Sequence, residues 1–132
     1  MSYLLDTHTF IWVISDREKL SSTVRQIIDN PNNLIFVSAV SFWEIALKYS
    51  ISKLEIKGVT PDELPPLALK MGLEIIPLEP GESASSYKLP LTTHKDPFDR
   101  ILIWQAIKRD YILISKDVRM GQYIRDGLEI IW

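Results

Sequence analysis

The chain contains no cysteine. That absence excludes disulfides and thiolate zinc centres. Long apolar runs are missing too. No stretch approaches the ~20 residues of a membrane-spanning helix, so no membrane association is expected. The opening Met1-Ser2-Tyr3-Leu4-Leu5-Asp6 has no basic segment and meets an acid at once, unlike a secretory signal. A cytoplasmic location is the resulting expectation. Charge of one sign is also lacking. The chain sets 15 Lys and Arg against 17 Asp and Glu, a net charge of −2. This argues against a general nucleic-acid coat protein, which is usually basic. It leaves a nuclease open, because an acidic centre lowers the total while cations collect elsewhere on the surface. No internal repeat and no low-complexity tract is present.

What the sequence does contain is the material of one packed domain, expected to span residues 1–132. Hydrophobic residues make up 46% of the chain, enough at this length for a real core. Short apolar runs suited to buried strands recur at Tyr3–Leu5, Leu34–Val37, Leu73–Ile76, Tyr111–Ile114 and Leu128–Trp132. Helical signals separate them. Ser21 and Ser22 can cap a helix running to Ile28. Phe42, Ile45, Ala46 and Tyr49 are spaced for a helix over 41–51. Thr60-Pro61-Asp62-Glu63 and Asp96-Pro97-Phe98-Asp99 each open a helix with Pro in its first turn and acids at the positive end of its dipole. The second of these is expected to run to about Asp110. Between Glu79 and Thr93 the chain is rich in loop signals, with room for one short helix. Strands alternating with helices predict a three-layer α/β/α domain with a five-stranded parallel sheet.

Three acids fall where such a sheet binds ligands, beyond the carboxyl ends of its strands, and a fourth, Asp99, joins them only if a long loop brings its helix to the same end. Asp6 follows the first strand and Asp117 the fourth. Glu44 lies early in the helix after the second strand, and Asp99 in the first turn of the helix before the fourth. Each also has a structural reading. Asp6, Asp96 and Asp117 can cap helices, and Ser41 with Glu44 has capping-box spacing. Together they weigh differently. Carboxylates meeting at one edge raise one another's pKa, and a divalent cation removes that penalty. Oxygen ligands suit Mg²⁺ or Mn²⁺. Arg100 and Lys116 flank two of the acids and are candidate phosphate contacts. His8 and His94 are not favoured as bases. The aromatic set Phe10, Trp12, Phe42, Trp43 and Tyr49 reads mostly as core, with a share available to a partner surface.

These segments resemble the PIN-domain nucleases, and among them the VapC-type toxins of bacterial toxin–antitoxin pairs. The likeness runs through Leu4-Leu5-Asp6-Thr7-His8-Thr9-Phe10-Ile11-Trp12, Ser38-Ala39-Val40-Ser41-Phe42-Trp43-Glu44-Ile45-Ala46, His94-Lys95-Asp96-Pro97-Phe98-Asp99-Arg100 and Leu113-Ile114-Ser115-Lys116-Asp117. Four matches in order cover nearly the whole chain. The resemblance implies strand order 3-2-1-4-5 and Mg²⁺- or Mn²⁺-dependent endonucleolytic cleavage of RNA. It also implies a homodimer and inhibition by a cognate antitoxin protein. By carry-over the acidic site is Asp6, Glu44, Asp99 and Asp117, with Asp96 as a further member and Ser115 as a supporting residue.

Two enzyme-like rivals on similar folds fit less well. A haloacid-dehalogenase-type phosphatase uses a second Asp two residues after the first, where this chain has His8. A phospho-receiver module wants an Asp after the third strand, where Ile75-Ile76-Pro77-Leu78 offers none. A PIN nuclease that processes RNA without being a toxin, and a protein-binding domain without catalysis on the same fold, are the remaining alternatives.

Overall fold

The computed structural model describes all residues from Met1 to Trp132. Five parallel strands form one sheet: β1 (Ser2–Leu5), β2 (Leu34–Ser38), β3 (Glu74–Ile76), β4 (Ile112–Ile114) and β5 (Glu129–Ile131). Their order is β3-β2-β1-β4-β5, as the family resemblance implied. Six α-helices accompany them: α1 (Thr7–Ser15), α2 (Ser22–Asp29), α3 (Ala39–Ser50), α4 (Leu64–Lys70), α5 (Pro80–Ser85) and α6 (Pro97–Arg109). The link from β4 to β5 is made by 3₁₀ turns over Val118–Asp126.

Alternation along the strands distributes the core. Tyr3, Leu5, Ile35, Val37 and Ile114 face one side, where they pack with Phe10 and Val13 of α1, Val24 of α2, Ile45 of α3 and Leu64 and Ala68 of α4. Leu4 and Leu113 face the other side, against Leu102, Ile103 and Ala106 of α6 and against Met120, Tyr123 and Leu128. Both faces are covered, which is why the strands read as continuous apolar runs.

Capping fixes where the helices begin. Ser21 accepts from Val24 N, and Asp96 accepts from Phe98 N and Asp99 N. Glu63 reaches back to accept from Thr60 N, ahead of α4. One expectation is corrected. The cap of α3 is Ser38, which accepts from Val40 N, so the helix starts two residues before Ser41. Ser41 lies inside it, buried, and accepts from Thr7 Oγ1. The segment after Glu79 carries α5 and a 3₁₀ turn at Ser86–Lys88.

β1 and β4 are neighbours, with Leu5 opposite Ile114. From β1 the chain passes to β2 on one side, while β4 leads to β5 on the other. The sheet therefore reverses its winding between β1 and β4, which is where open parallel sheets hold their ligands.

Candidate active site

Asp6 leaves β1 at that reversal point. Its backbone N–H continues the sheet by donating to Ile114 O, and its carboxylate caps α1 by accepting from Thr9 N at 2.8 Å. The residue is buried. Burial raises its pKa, opposed by hydrogen bonds from Ser115 and Thr9. Capping and membership of the site are thus compatible, because the cap bond uses one oxygen.

Asp117 leaves β4 beside it. The Ser115 hydroxyl accepts from Asp117 N and shapes this turn. The Asp117 carboxylate caps the following 3₁₀ stretch through Arg119 N and also takes a two-pronged bond from the Arg119 guanidinium, at 3.0 and 2.8 Å. That guanidinium holds the Asp117 carboxyl below its ordinary value.

Asp99 reaches the same end from the first turn of α6. A loop after Leu91 carries the chain there, and Asp96 fixes the helix start. His94 Nε2 lies 3.1 Å from Asp99 Oδ2. The nearest ligating atoms of His94, Asp99 and Asp117 all lie within 4.8 Å of one another. Asp99 is pushed up to about 6, first by burial and then by the charges of Asp96 and Glu44, with Asp6 adding to them and His94 opposing.

Glu44, on the second turn of α3, is 2% exposed. Lys48, one turn further on, donates to its Oε2. Its other oxygen, Oε1, is buried with no hydrogen-bond partner. Burial alone would lower the Lys48 pKa, but the bond to Glu44 and the charges of Asp96 and Asp99 hold it above its usual value. Asp6 and Glu44 stand outside the tight His94–Asp99–Asp117 group, yet both act electrostatically on Asp99.

The carboxylates named from the sequence therefore gather at one end of the sheet. A buried carboxylate oxygen without a partner, and a carboxyl raised by burial and by like-charged neighbours, are features that a divalent cation would compensate. The donors are carboxylate oxygens and one imidazole, a set that fits a divalent cation.

Other residues stand differently from the sequence expectation. Arg100, expected as a phosphate contact, also acts as a strut: its guanidinium donates to the carbonyls of Leu89 and Pro90 and to Tyr123 Oη. Lys116 remains exposed, beside Asp117. Lys48 and Arg119 lie at the site without having been singled out from the sequence, and His94, not favoured there as a base, lies against Asp99. The i, i+4 spacing of Glu44 and Lys48 was a usable signal. The position of His94 was not, because it depends on a loop. Of the aromatic set, Phe10 is buried edge-on against Phe42, whereas Trp43 is 62% exposed.

A family model described as PIN domain matches residues 3–125. The chain is 26% identical over 129 residues to ribonuclease VapC22 of Mycobacterium tuberculosis, covering 98% of this chain and 97% of that protein. Among solved structures, VapBC2 from Rickettsia felis, bound to a DNA fragment from its promoter, superposes with a TM-score of 0.69 at 19% identity, covering 99% of this chain and 98% of that one. VapBC-1 from nontypeable Haemophilus influenzae superposes with a TM-score of 0.67 at 16% identity, covering 99% and 97%. These structural likenesses are likenesses of fold.

Proposed function

This chain belongs to the PIN-domain family, and from that premise we propose that it is a divalent-metal-dependent endoribonuclease, the toxin of a toxin–antitoxin pair. The observation that carries the reading is the gathering of Asp6, Glu44, Asp99 and Asp117 at the winding reversal of the sheet. The likeness to ribonuclease VapC22 supplies the substrate class. Inhibition of translation is the biological consequence we assign, with the cytoplasm as its place.

Asp6, Glu44, Asp99 and Asp117 are the proposed holders of Mg²⁺ or Mn²⁺, with Asp96 as a supporting acid that fixes the start of α6. A cation held there supplies Lewis acidity that activates water at neutral pH and offsets charge on the phosphoryl oxygens. The chain's own residues prepare the place. The Thr9 N–H orients Asp6, and His94 orients Asp99. Lys48 holds one oxygen of Glu44 and leaves the other free to accept. Arg119 keeps Asp117 ionised. Lys116, exposed beside Asp117, is positioned to meet substrate phosphate.

A partner protein is part of the same reading. α3 presents Trp43, 62% exposed, and Leu47 one turn on, 42% exposed. Apolar side chains of this kind are favoured in interfaces, and a second copy or an antitoxin would cover them. Sedimentation at working concentration, alone and with the antitoxin, tests this part.

The enzymatic reading is tested by incubating total RNA with the protein in Mg²⁺, in Mn²⁺ and in chelator. Discrete cleavage with either metal and none with chelator is expected. Intact RNA in all three would overturn the reading.

A further inference from the structure

One cavity of about 340 Å³ is lined by Asp6, His8, Trp12, Lys116, Asp117 and Val118. Two of the site carboxylates thus share a space with two aromatic rings, an aliphatic side chain and an ammonium group. We propose that this wall is a stacking subsite for an unpaired base of RNA, next to the phosphodiester that is cut. The proposal rests on the ribonuclease reading above and adds to it how the substrate is held.

The sequence builds the wall simply. His8 and Trp12 are four residues apart on α1, so both project from one face of the helix. Their ring centroids lie 6.1 Å apart, with planes inclined by 49°. Trp132, at the end of the chain, meets Trp12 edge-on at 5.8 Å and backs it. Val118 lines the same cavity and is 90% exposed. Lys116 Nζ is 6.0 Å from the Trp12 ring centroid, so its charge lies over the aromatic wall.

This combination restricts the occupant. Folding gains nothing from an aliphatic side chain held almost fully in water beside an exposed imidazole. A ligand that covers them presents a flat apolar face, and negative charge on it is favoured only towards Lys116, away from Asp6 and Asp117. A nucleotide satisfies both conditions: its base lies flat on one ring and leans against the other, and its phosphate faces the ammonium. Every base has a π-face, so stacking tolerates sequence. The base must be unpaired, because a duplex covers its own faces and hides its edges. A cavity of this size is at the small end of ligand pockets, ~300–1,000 Å³, and suits one nucleotide. A second cavity of about 460 Å³ shares Lys116, Asp117 and Val118 and runs on to Trp132, giving the neighbouring nucleotide a path out.

The test uses short single-stranded RNAs in which one abasic position is moved through the cleavage site. Each is cleaved by the wild-type chain and by the His8→Ala, Trp12→Leu and Trp12→Phe variants. For wild type, one position beside the cut should raise KM roughly tenfold when its base is removed. His8→Ala and Trp12→Leu should lose about as much on intact RNA and nothing further on that abasic RNA. Trp12→Phe, which keeps a ring, should recover most of the loss. His8 is exposed, so its variant should melt with the wild type, and this arm survives any instability at Trp12. A penalty found at no position, or one that persists unchanged in His8→Ala, overturns the subsite and leaves the nuclease standing. No cleavage of any RNA by the wild-type chain overturns both.

Discussion

Lys48 donates to Glu44 Oε2 from one turn along α3, while Glu44 Oε1 is buried with no partner. The carboxylate is therefore half-satisfied from within the chain and half open towards the acids around it. The lysine is an internal counter-ion that lets Glu44 be buried before any metal arrives.

Removing that counter-ion should expose the cost. In Lys48→Met, the helix and the apolar stem are kept and the charge is lost. Glu44 is then buried without compensation, and the metal-free protein should lose about 2–3 kcal/mol. Denaturant melts with and without Mn²⁺ read the effect. The deficit should shrink when Mn²⁺ is present, and an unchanged stability in both conditions would refute the counter-ion role.

Asp99 gives a pH dependence of known sign. Its carboxyl is pushed from 3.8 to about 6 by burial and by Asp96 and Glu44. A carboxyl whose folded-state pKa is raised favours the folded chain below pH 4, and that favour is lost as pH rises through about 6. At neutral pH the penalty amounts to roughly 3 kcal/mol at most. The metal-free Asp99→Asn protein should therefore melt above wild type at pH 7, with the gap closing below pH 4. It should also gain less stability from Mn²⁺ than wild type does. Thermal melts across pH 4–7, each with chelator and with Mn²⁺, check both statements.

Asp6→Asn separates catalysis from folding. The amide oxygen can still accept from Thr9 N, so the α1 cap survives, and neutralising a buried acid removes a charge that burial penalises. Circular dichroism should match wild type, and the melting temperature should not fall. RNA cleavage should drop by at least about 100-fold, the loss of a few kcal/mol of transition-state stabilisation. Retained cleavage would remove Asp6 from the catalytic set.

Much of this arrangement was readable in the sequence for identifiable reasons. The strands were visible because both sheet faces are buried, so Tyr3-Leu4-Leu5 and Tyr111-Ile112-Leu113-Ile114 carry no polar interruption. The positions of Asp6 and Asp117 followed from strand ends alone. The role of Asp99 did not, since it depends on the loop from Leu91 to Asp96 bringing α6 to the same edge. His94 was weighed only as a base; its 3.1 Å approach to Asp99 is a product of loop conformation. The cap of α3 was misplaced because Ser38 and Ser41 both have capping chemistry. Both are buried; Ser38 takes the cap by accepting from Val40 N, while the Ser41 hydroxyl is engaged by Thr7.

Arg100 and Lys116 are both cations next to site acids, and their variants should differ in kind. Arg100 spans the carbonyls of Leu89 and Pro90 and reaches Tyr123 Oη, while Tyr123 Oη also bonds Thr92 and the His94 carbonyl. It braces the loop that carries His94 to Asp99. Lysine reproduces this poorly, because one ammonium replaces a planar fork whose two nitrogens reach both carbonyls and the Tyr123 hydroxyl at once. Arg100→Lys should therefore cost about 1–3 kcal/mol of stability and weaken Mn²⁺ binding, while the salt dependence of RNA binding stays as in wild type. Lys116→Ala should do the reverse: little loss of stability, and a fall of about 0.7 in the slope of log K against log salt for a single strand. Binding of RNA to the Asp6→Asn background at several salt concentrations measures both slopes. A reduced slope in Arg100→Lys would return that residue to the phosphate contacts.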